Sequence, residues 1–540
     1  MPEEKVDAKP APTNAAPESE TRQPAAAQAT TQEPATDVFA VYGVEPEVQA
    51  YAMAKYSRSA LSMRESLKEI NEQKAEKFLN TFYFQYGHRS IADLAHVALA
   101  IEKLSILAAI AVADEQRWDG QERSTRYQDF KKSGWYTPDF GGDEEAVRLY
   151  RETIEFLFRE YETFSEGMWR YLEERTPRPA EMKQEAYERT LRARAFDLSR
   201  YFLPLATNTS LGQIVNARTL ETQIARLLSH THAEVRRMGE RLKAAAREPV
   251  YNATHDTVRQ LVEEIRARDP QLGERAAQEL LKEVRAAPTL VKYAEANPYT
   301  TETRSELRQA AAELMKDAEA SMVNPVELLD DDPLEIELAT TLLYAHCHYP
   351  YKQIRKRVEA LDAARREEIV DLGTRHRGKH DELLREFCSG QRFRFDVLMD
   401  IGGYRDLHRH RRCIQIDQAY TTRHGYDVPE DIGGAGLRQR YDASMRRTAD
   451  TVAKLAARSF PEAAESAQYL IPLAFRKRTL FKMDFAEAVY ISELRTTPAG
   501  HFSYRNIAWE MYQAVARKYP ALAKHFRVSD VREPVDLLKR

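Results

Sequence analysis

Cysteine is scarce in this sequence. Cys347, Cys388 and Cys413 are the three present among 540 residues, too few for a disulfide framework and in no zinc-ligand spacing. They read as buried or idle thiols of a reducing compartment. Charge of one sign is also lacking: 80 Lys and Arg stand against 84 Asp and Glu, a formal net charge of −4. That balance gives no reason to expect nucleic acid or an anionic membrane as partner, though a local basic pocket remains open. The N-terminus lacks the charged-then-apolar order of a signal peptide. The longest apolar stretch, from Ile91 to Ala113, is interrupted by Asp93, His96, Glu102 and Lys103, each costly in hydrocarbon. A buried strand followed by a buried helix is expected there, in a soluble, cytoplasmic protein. Gly402-Gly403 is no dinucleotide fingerprint, and His346, His348, His376 and His380 make no metal constellation.

What is present suffices for real cores. Hydrophobic residues are 43% of the chain, and its length allows two or more domains. Residues 1–37 are rich in Ala, Pro, Thr, Gln and Glu and are expected to be a disordered tail. A first unit is expected over 38–247, a helical connector over 248–324, and a second unit over 325–540. In the first unit, Val48 to Leu79 reads as mostly helix, closing through Tyr83 to Gly87. Val97, Leu99 and Ile101 alternate as one face of a strand. Ser105 to Trp118, Glu144 to Leu172 and Lys183 to Leu203 read as helices. In the second unit, Leu328 to Tyr344 and Tyr351 to Leu372 read as helices. Arg392 to Met399 alternates like a strand, Gly402-Gly403 breaks it, and a short Arg/His-rich helix follows.

The two units share this layout, which is a repeat signal. Leu203-Pro204-Leu205 is followed by His232 in the first unit, and Ile471-Pro472-Leu473 is followed at nearly the same spacing by His501 in the second.

Several short motifs in this frame point one way. Tyr86-Gly87-His88-Arg89-Ser90 resembles the Gly-His-x-Ser/Thr entry of the flavin-dependent thymidylate synthases. Gln121-Glu122-Arg123-Ser124-Thr125-Arg126-Tyr127 is similar to the end of that family's signature, with Gln for Asn. Asn216-Ala217-Arg218-Thr219-Leu220 resembles its Asn-x-Arg-Ser-Leu, and His232-Ala233-Glu234-Val235-Arg236 its His-Ala-Gln-x-Glu-Ile-Arg. Arg409-His410-Arg411 stands where the family has Arg-His-Arg, followed by Asp417 for its Glu and Ala419 for its serine. The first unit therefore keeps Glu122, Ser124, Arg126 and Tyr127 but lacks the Arg-His-Arg, of which Arg117 alone remains. The second keeps the arginines and lacks the serine.

The resemblance implies an α+β, helix-rich fold in two tandem units, each a small sheet with packed helices. It implies methylation of dUMP with methylenetetrahydrofolate, FAD carrying hydride and NADPH as reductant. The family builds its sites from several subunits of a homotetramer, so a homodimer of this chain is expected to form a pseudo-tetramer with composite sites. Carried over, Ser124 is the catalytic candidate. His88, Asn216, Arg218, Arg409, His410 and Arg411 are implied cofactor ligands, and Glu122, Arg126 and Arg226 implied substrate ligands. Read from the residues alone, Ser124 is equally a cap or turn residue. Arg405, His408, Arg409, His410, Arg411 and Arg412 form a dense basic cluster that suits phosphate or else a solvated helix face. His88 fits a structural histidine, and Arg218 and Arg226 an ordinary amphipathic helix. The alternative function is a non-catalytic flavin- or nucleotide-binding relative with an assembly or regulatory role.

Overall fold

The computed structural model describes residues 39, 41, 43–55, 61–69, 72–85, 89–321, 324–330, 333–378, 381, 384–388, 393–524 and 526–538. The tail expected over 1–37 and the candidate His88 lie outside them. The chain divides into Met1–Val44 and Glu45–Arg540, and every element below belongs to the second unit.

Among the described residues, seven strands make two antiparallel sheets. β1 (His96–Ser105), β2 (Asp119–Glu122) and β3 (Asn208–Asn216) form the first, in the order β1-β3-β2. β4 (Val326–Leu328), β5 (Phe393–Asp400), β6 (Ile414–Asp417) and β7 (Arg476–Met483) form the second, in the order β4-β5-β7-β6. In both, the strand that comes last in sequence lies between the two before it. The registers match as well. Ser105 faces Asn208 and Glu122 faces Leu211; Asp400 faces Arg476 and Asp417 faces Thr479. The one irregularity is a bulge in β1 between Glu102 and Leu104, where Lys103 takes φ 59°.

The helices repeat in the same order. A short buried helix follows β1 in the first half and β5 in the second, Ile106–Ala113 and Ile401–Leu407. Ser105 caps one by accepting from Ala108 N at 2.9 Å, and Asp400 caps the other by accepting from Gly403 N at 2.7 Å. Each cap satisfies an amide that the first turn leaves unpaired. A long helix follows β2 and β6, Glu144–Arg175 and Arg438–Ala456. Two helices follow β3 and β7. Asn216 and Asp484 cap the first of each pair, and His232 and His501 stand at the N-cap of the second.

Backbone hydrogen bonds join the halves about a local twofold. Leu205 N donates to Ile471 O at 3.0 Å, and Leu473 N donates to Leu203 O at 3.0 Å. Pro204 faces Pro472 in an antiparallel bridge, which works because the neighbours supply the donors that proline lacks. Further out, Ala206 N donates to Tyr469 O and Ala474 N to Tyr201 O. Every bond has a mate with the halves exchanged.

Some boundaries differ from the sequence reading. The helix expected over Ser105 to Trp118 stops at Ala113. Tyr351 to Leu372 is two helices, Tyr351–Glu359 and Ala363–Leu372, the second capped by Asp362. Gly402 and Gly403 do not break the chain but lie in the first turn of Ile401–Leu407. A Cβ on Gly403 would meet Ser503 Oγ at 2.6 Å, so close packing rather than a turn accounts for that glycine. The apolar stretch from Ile91 to Ala113 is shared among a 3₁₀ turn, β1 and the short helix. No helix among the described residues is long and apolar enough to cross a membrane.

The second sheet is buried on both faces, and its covered side carries charge. Asp396 on β5 is fully buried. It accepts from Tyr344 Oη at 2.8 Å, Tyr351 N at 2.7 Å and Arg478 at 3.0 Å. Lys482 lies 3.0 Å from Glu337, which Arg394 approaches to 3.5 Å.

Candidate functional site

A cleft opens where the two halves meet. The first half lines it with Ile110, Ala113, Trp118, Gly120 and Glu122, and the second with Arg405, His408, Arg409 and Arg411. The helix Ile401–Leu407 ends at His408, and the turn after it delivers the arginines. Arg405 is ion-paired with Glu122 across the halves, both side chains nearly buried. The Arg411 guanidinium sits 4.3 Å from the centre of the Trp118 ring, a cation–π contact. Burial lowers the Arg411 pKa, with Asp119 opposing that shift. Arg409 is exposed. Neither Arg409 nor Arg411 makes an ion pair or a hydrogen bond among the described residues. The space that water can enter is about 30 Å³, room for about one molecule.

Trp118 is held in place from behind. Its Nε1 donates to Gln213 Oε1 at 2.6 Å. A Cβ on Gly120 would stand 2.4 Å from Trp118 Cη2 and 2.5 Å from the Gly212 carbonyl oxygen. Gly120→Ala is therefore expected to cost about 1–3 kcal/mol and to shift Trp118 from beneath Arg411. Tryptophan fluorescence together with a denaturant titration checks this, and an unchanged spectrum and midpoint would count against it.

His410 is turned away from the cleft. It accepts from Arg495 Nε at 2.7 Å, and its Nδ1 lies 3.6 Å from Glu487. Burial lowers its pKa, and the Glu487 contact opposes the shift.

Ser124 and Arg126 follow β2 but do not line the cleft. Ser124 Oγ accepts from Arg126 N at 3.2 Å, closing a turn. Arg126 is a strut between halves. It donates to both oxygens of Asp197, at 2.7 and 3.1 Å, to Tyr504 Oη at 2.9 Å and to the Ala499 carbonyl at 3.3 Å. Burial would raise the Asp197 pKa, but Arg126, His501 and Arg200 bring it down to about 2.

Asn216 is a helix cap, accepting from Thr219 N at 2.8 Å, and Arg218 lies 3.4 Å from Asp93. Arg226 turns to the end of the Ile106–Ala113 helix, donating to Glu115 at 2.9 Å and to the Ala111 carbonyl at 2.8 Å. Asp114 and Glu115 stand as far from their cap Ser105 as Arg409 and His410 stand from Asp400. Arg385 holds Asp114 at 2.7 Å. Burial would raise the Asp114 pKa, but Arg385, Arg226 and His408 hold it well below the usual carboxylate range. Where one half presents unpaired arginines, the other presents a closed ion-pair network.

The structure thus brings Glu122, Arg409 and Arg411 to one cleft and leaves Ser124, Arg126, Asn216, Arg218, Arg226 and His410 elsewhere. Sequence reasoning missed Trp118 and Arg385 as functional neighbours. Arg405 and His408 were visible in the basic cluster without an assigned role. No group of three or more His, Cys, Asp or Glu among the described residues could hold a metal ion.

The model of the thymidylate synthase complementing protein family matches residues 41–250 and again 327–521. A UPF0159 protein of Chlamydia muridarum is 28% identical over 539 residues, covering 92% of each chain. A flavin-dependent thymidylate synthase of Clostridium tetani is 25% identical over 181 residues, 33% of this chain and 68% of that one. A crystal structure of the flavin-dependent thymidylate synthase of Helicobacter pylori, complexed with FAD and dUMP, covers 37% of this chain and 89% of its own. Its sequence identity is 14% and its TM-score 0.23. The chain belongs to the thymidylate synthase complementing protein family and carries the family's domain twice.

Proposed function

We propose that the chain is a FAD-dependent thymidylate synthase whose site is pooled from both halves. It would methylate dUMP to dTMP with methylenetetrahydrofolate, with NADPH as reductant. The observation that carries this reading is one cleft holding Arg409 and Arg411 from the second half with Trp118 and Glu122 from the first. Guanidinium groups without carboxylate partners suit phosphate oxygens, and FAD and dUMP both bring phosphate. Bound FAD would supply hydride transfer, while the chain's residues bind, orient and exclude water. The interior of the cleft is too small for a flavin ring. Arg409, at the open mouth, and Arg411 would hold the phosphate oxygens of bound FAD or dUMP. The exposed face of the first sheet, with Ala98, Ala100, Gly212 and Ile214 uncovered, supports a homodimer.

The second reading, a non-catalytic flavin- or nucleotide-binding relative, is favoured by the closed network at Asp114 and Glu115 and by Ser124 standing outside the cleft. The absorbance spectrum and a turnover assay separate the two. The enzyme reading expects a flavin band and dTMP from the four components. A flavin band without product favours the second reading. No band after FAD addition, with no dUMP binding, ends both. Arg409→Ala is expected to weaken FAD or dUMP binding by about one to two decades, roughly 1.5–3 kcal/mol. Arg409→Lys restores part of it, because it keeps the charge without the fork. Unchanged affinity for both ligands in Arg409→Ala and in Ser124→Ala would remove the composite site.

A further inference from the structure

His408 is 7% exposed, and its two ring nitrogens have different surroundings. Nδ1 lies 2.9 Å from the Tyr404 hydroxyl and 2.9 Å from Gln415 Oε1. Tyr404 gives its one proton to Asp417 Oδ2. Gln415 Nε2 donates to the His410 carbonyl at 2.9 Å, so its Oε1 is the accepting end of the amide. Both neighbours of Nδ1 are therefore acceptors, and Nδ1 carries the ring proton. In the neutral ring Nε2 is then a bare lone pair. It is buried without a hydrogen-bond partner, and the ring lines the cleft beside Arg405, Arg409 and Arg411. An unprotonated oxygen drawn in by the arginines would meet that lone pair with no hydrogen between them, and a buried acceptor left unmatched is costly.

We propose that His408 makes this cleft a site for a protonated phosphate group, which brings one hydrogen for Nε2 together with oxygens for the arginines. The proposal rests on the reading of the cleft as an anion site. A monoester monoanion donates its one P–O–H to the neutral Nε2, and inorganic phosphate can do so as the monoanion or the dianion. Either way a proton stays with the bound ligand. The charged groups around the ring are Asp417 beyond Tyr404 on β6, Asp114 and Glu122 from the first half, and the three arginines. Arg409 is exposed and unpaired, so its side chain can swing aside to admit the group.

Calorimetric titration of the whole protein with inorganic phosphate, dUMP and sulfate tests this between about pH 6 and 8. Sulfate matches the charge and shape but carries no proton there. Phosphate is expected to bind about tenfold or more tightly than sulfate at the acid end. The dUMP affinity should fall by up to about tenfold per pH unit above its second phosphate ionisation, about 6 in a monoester, whereas inorganic phosphate, whose dianion still carries one P–O–H, should hold its affinity. The sulfate affinity should lack that slope. If dUMP shows that slope and binds more tightly than inorganic phosphate at the acid end, the site takes a phosphate monoester; if inorganic phosphate binds more tightly there, the site takes the free ion. In His408→Gln the amide N–H donates to any oxygen, so the preference and the slope should both shrink. Equal binding of phosphate and sulfate by the unaltered protein overturns the proposal and leaves the cleft an anion site. Binding of neither anion and no dUMP overturns both.

Discussion

Arg126→Ala is expected to lose about 3–5 kcal/mol of folding stability, because it strands a buried carboxylate. Asp197 is 4% exposed and takes two charge-assisted hydrogen bonds from Arg126. The same guanidinium reaches Tyr504 and Ala499 in the other half, so the loss includes part of the seam. Removing both charges, in Arg126→Met with Asp197→Leu, should recover much of the stability, since no buried charge is left alone. The pH dependence has a definite sign. The Asp197 pKa is depressed to about 2 from its ordinary value of 3.8. Its contribution is present above 3.8 and lost as pH falls through about 2. That contribution is roughly 2 kcal/mol, and Arg126→Ala should flatten this acid limb. Urea unfolding of the three proteins between neutral and acid pH checks the claim. A single variant within about 1 kcal/mol of the parent would mean the strut is not structural.

Asp396→Ala is expected to be as damaging, at about 3–5 kcal/mol. It leaves Arg478 without its carboxylate, and the Tyr351 amide and Tyr344 hydroxyl without their acceptor. Asp396→Asn keeps one carbonyl oxygen, enough for the Tyr351 amide, and turns its N–H₂ to the Tyr344 hydroxyl, which can accept from it, so it should fall between parent and alanine variant. Both are measured by denaturant midpoints at matched slopes. A normal midpoint for Asp396→Ala would show that the cations of β7 are satisfied elsewhere.

That buried network also explains what the sequence concealed. β7, Arg476–Met483, did not read as a strand, because Arg476, Lys477, Arg478 and Lys482 give it the look of a solvated segment. Lys477, Arg478 and Lys482 are buried and lie against Asp417, Asp396 and Glu337, none of them near in sequence. Charge patterning reports burial only when partners are local. The strand β1 was legible because Val97, Leu99 and Ile101 alternate against exposed neighbours. The repeat was legible from its proline and histidine spacing, and the family from short motifs. The basic cluster showed as a local density of arginine. Its other wall, Trp118 and Glu122, is set by the meeting of the halves, which one-dimensional spacing does not report. Arg126 carried the family's motif, yet tertiary packing commits every nitrogen of its guanidinium to the protein.

The capping pairs of the two halves have exchanged roles. Ser105 donates to Glu234 at 2.6 Å in the first half, whereas Ser503 donates to Asp400 in the second. The hydroxyl sits on the strand end in one half and on the helix start in the other. A genetic crossover between the repeats would separate these matched pairs. Joining the front of the second half to the back of the first sets Asp400 against Glu234, two carboxylates in one buried place, which repel unless one takes up a proton. The reciprocal product sets Ser105 against Ser503 and leaves no charged acceptor for either. The exchange therefore makes each strand end a match for its own helix start alone, so the two halves are not interchangeable at this point of the core.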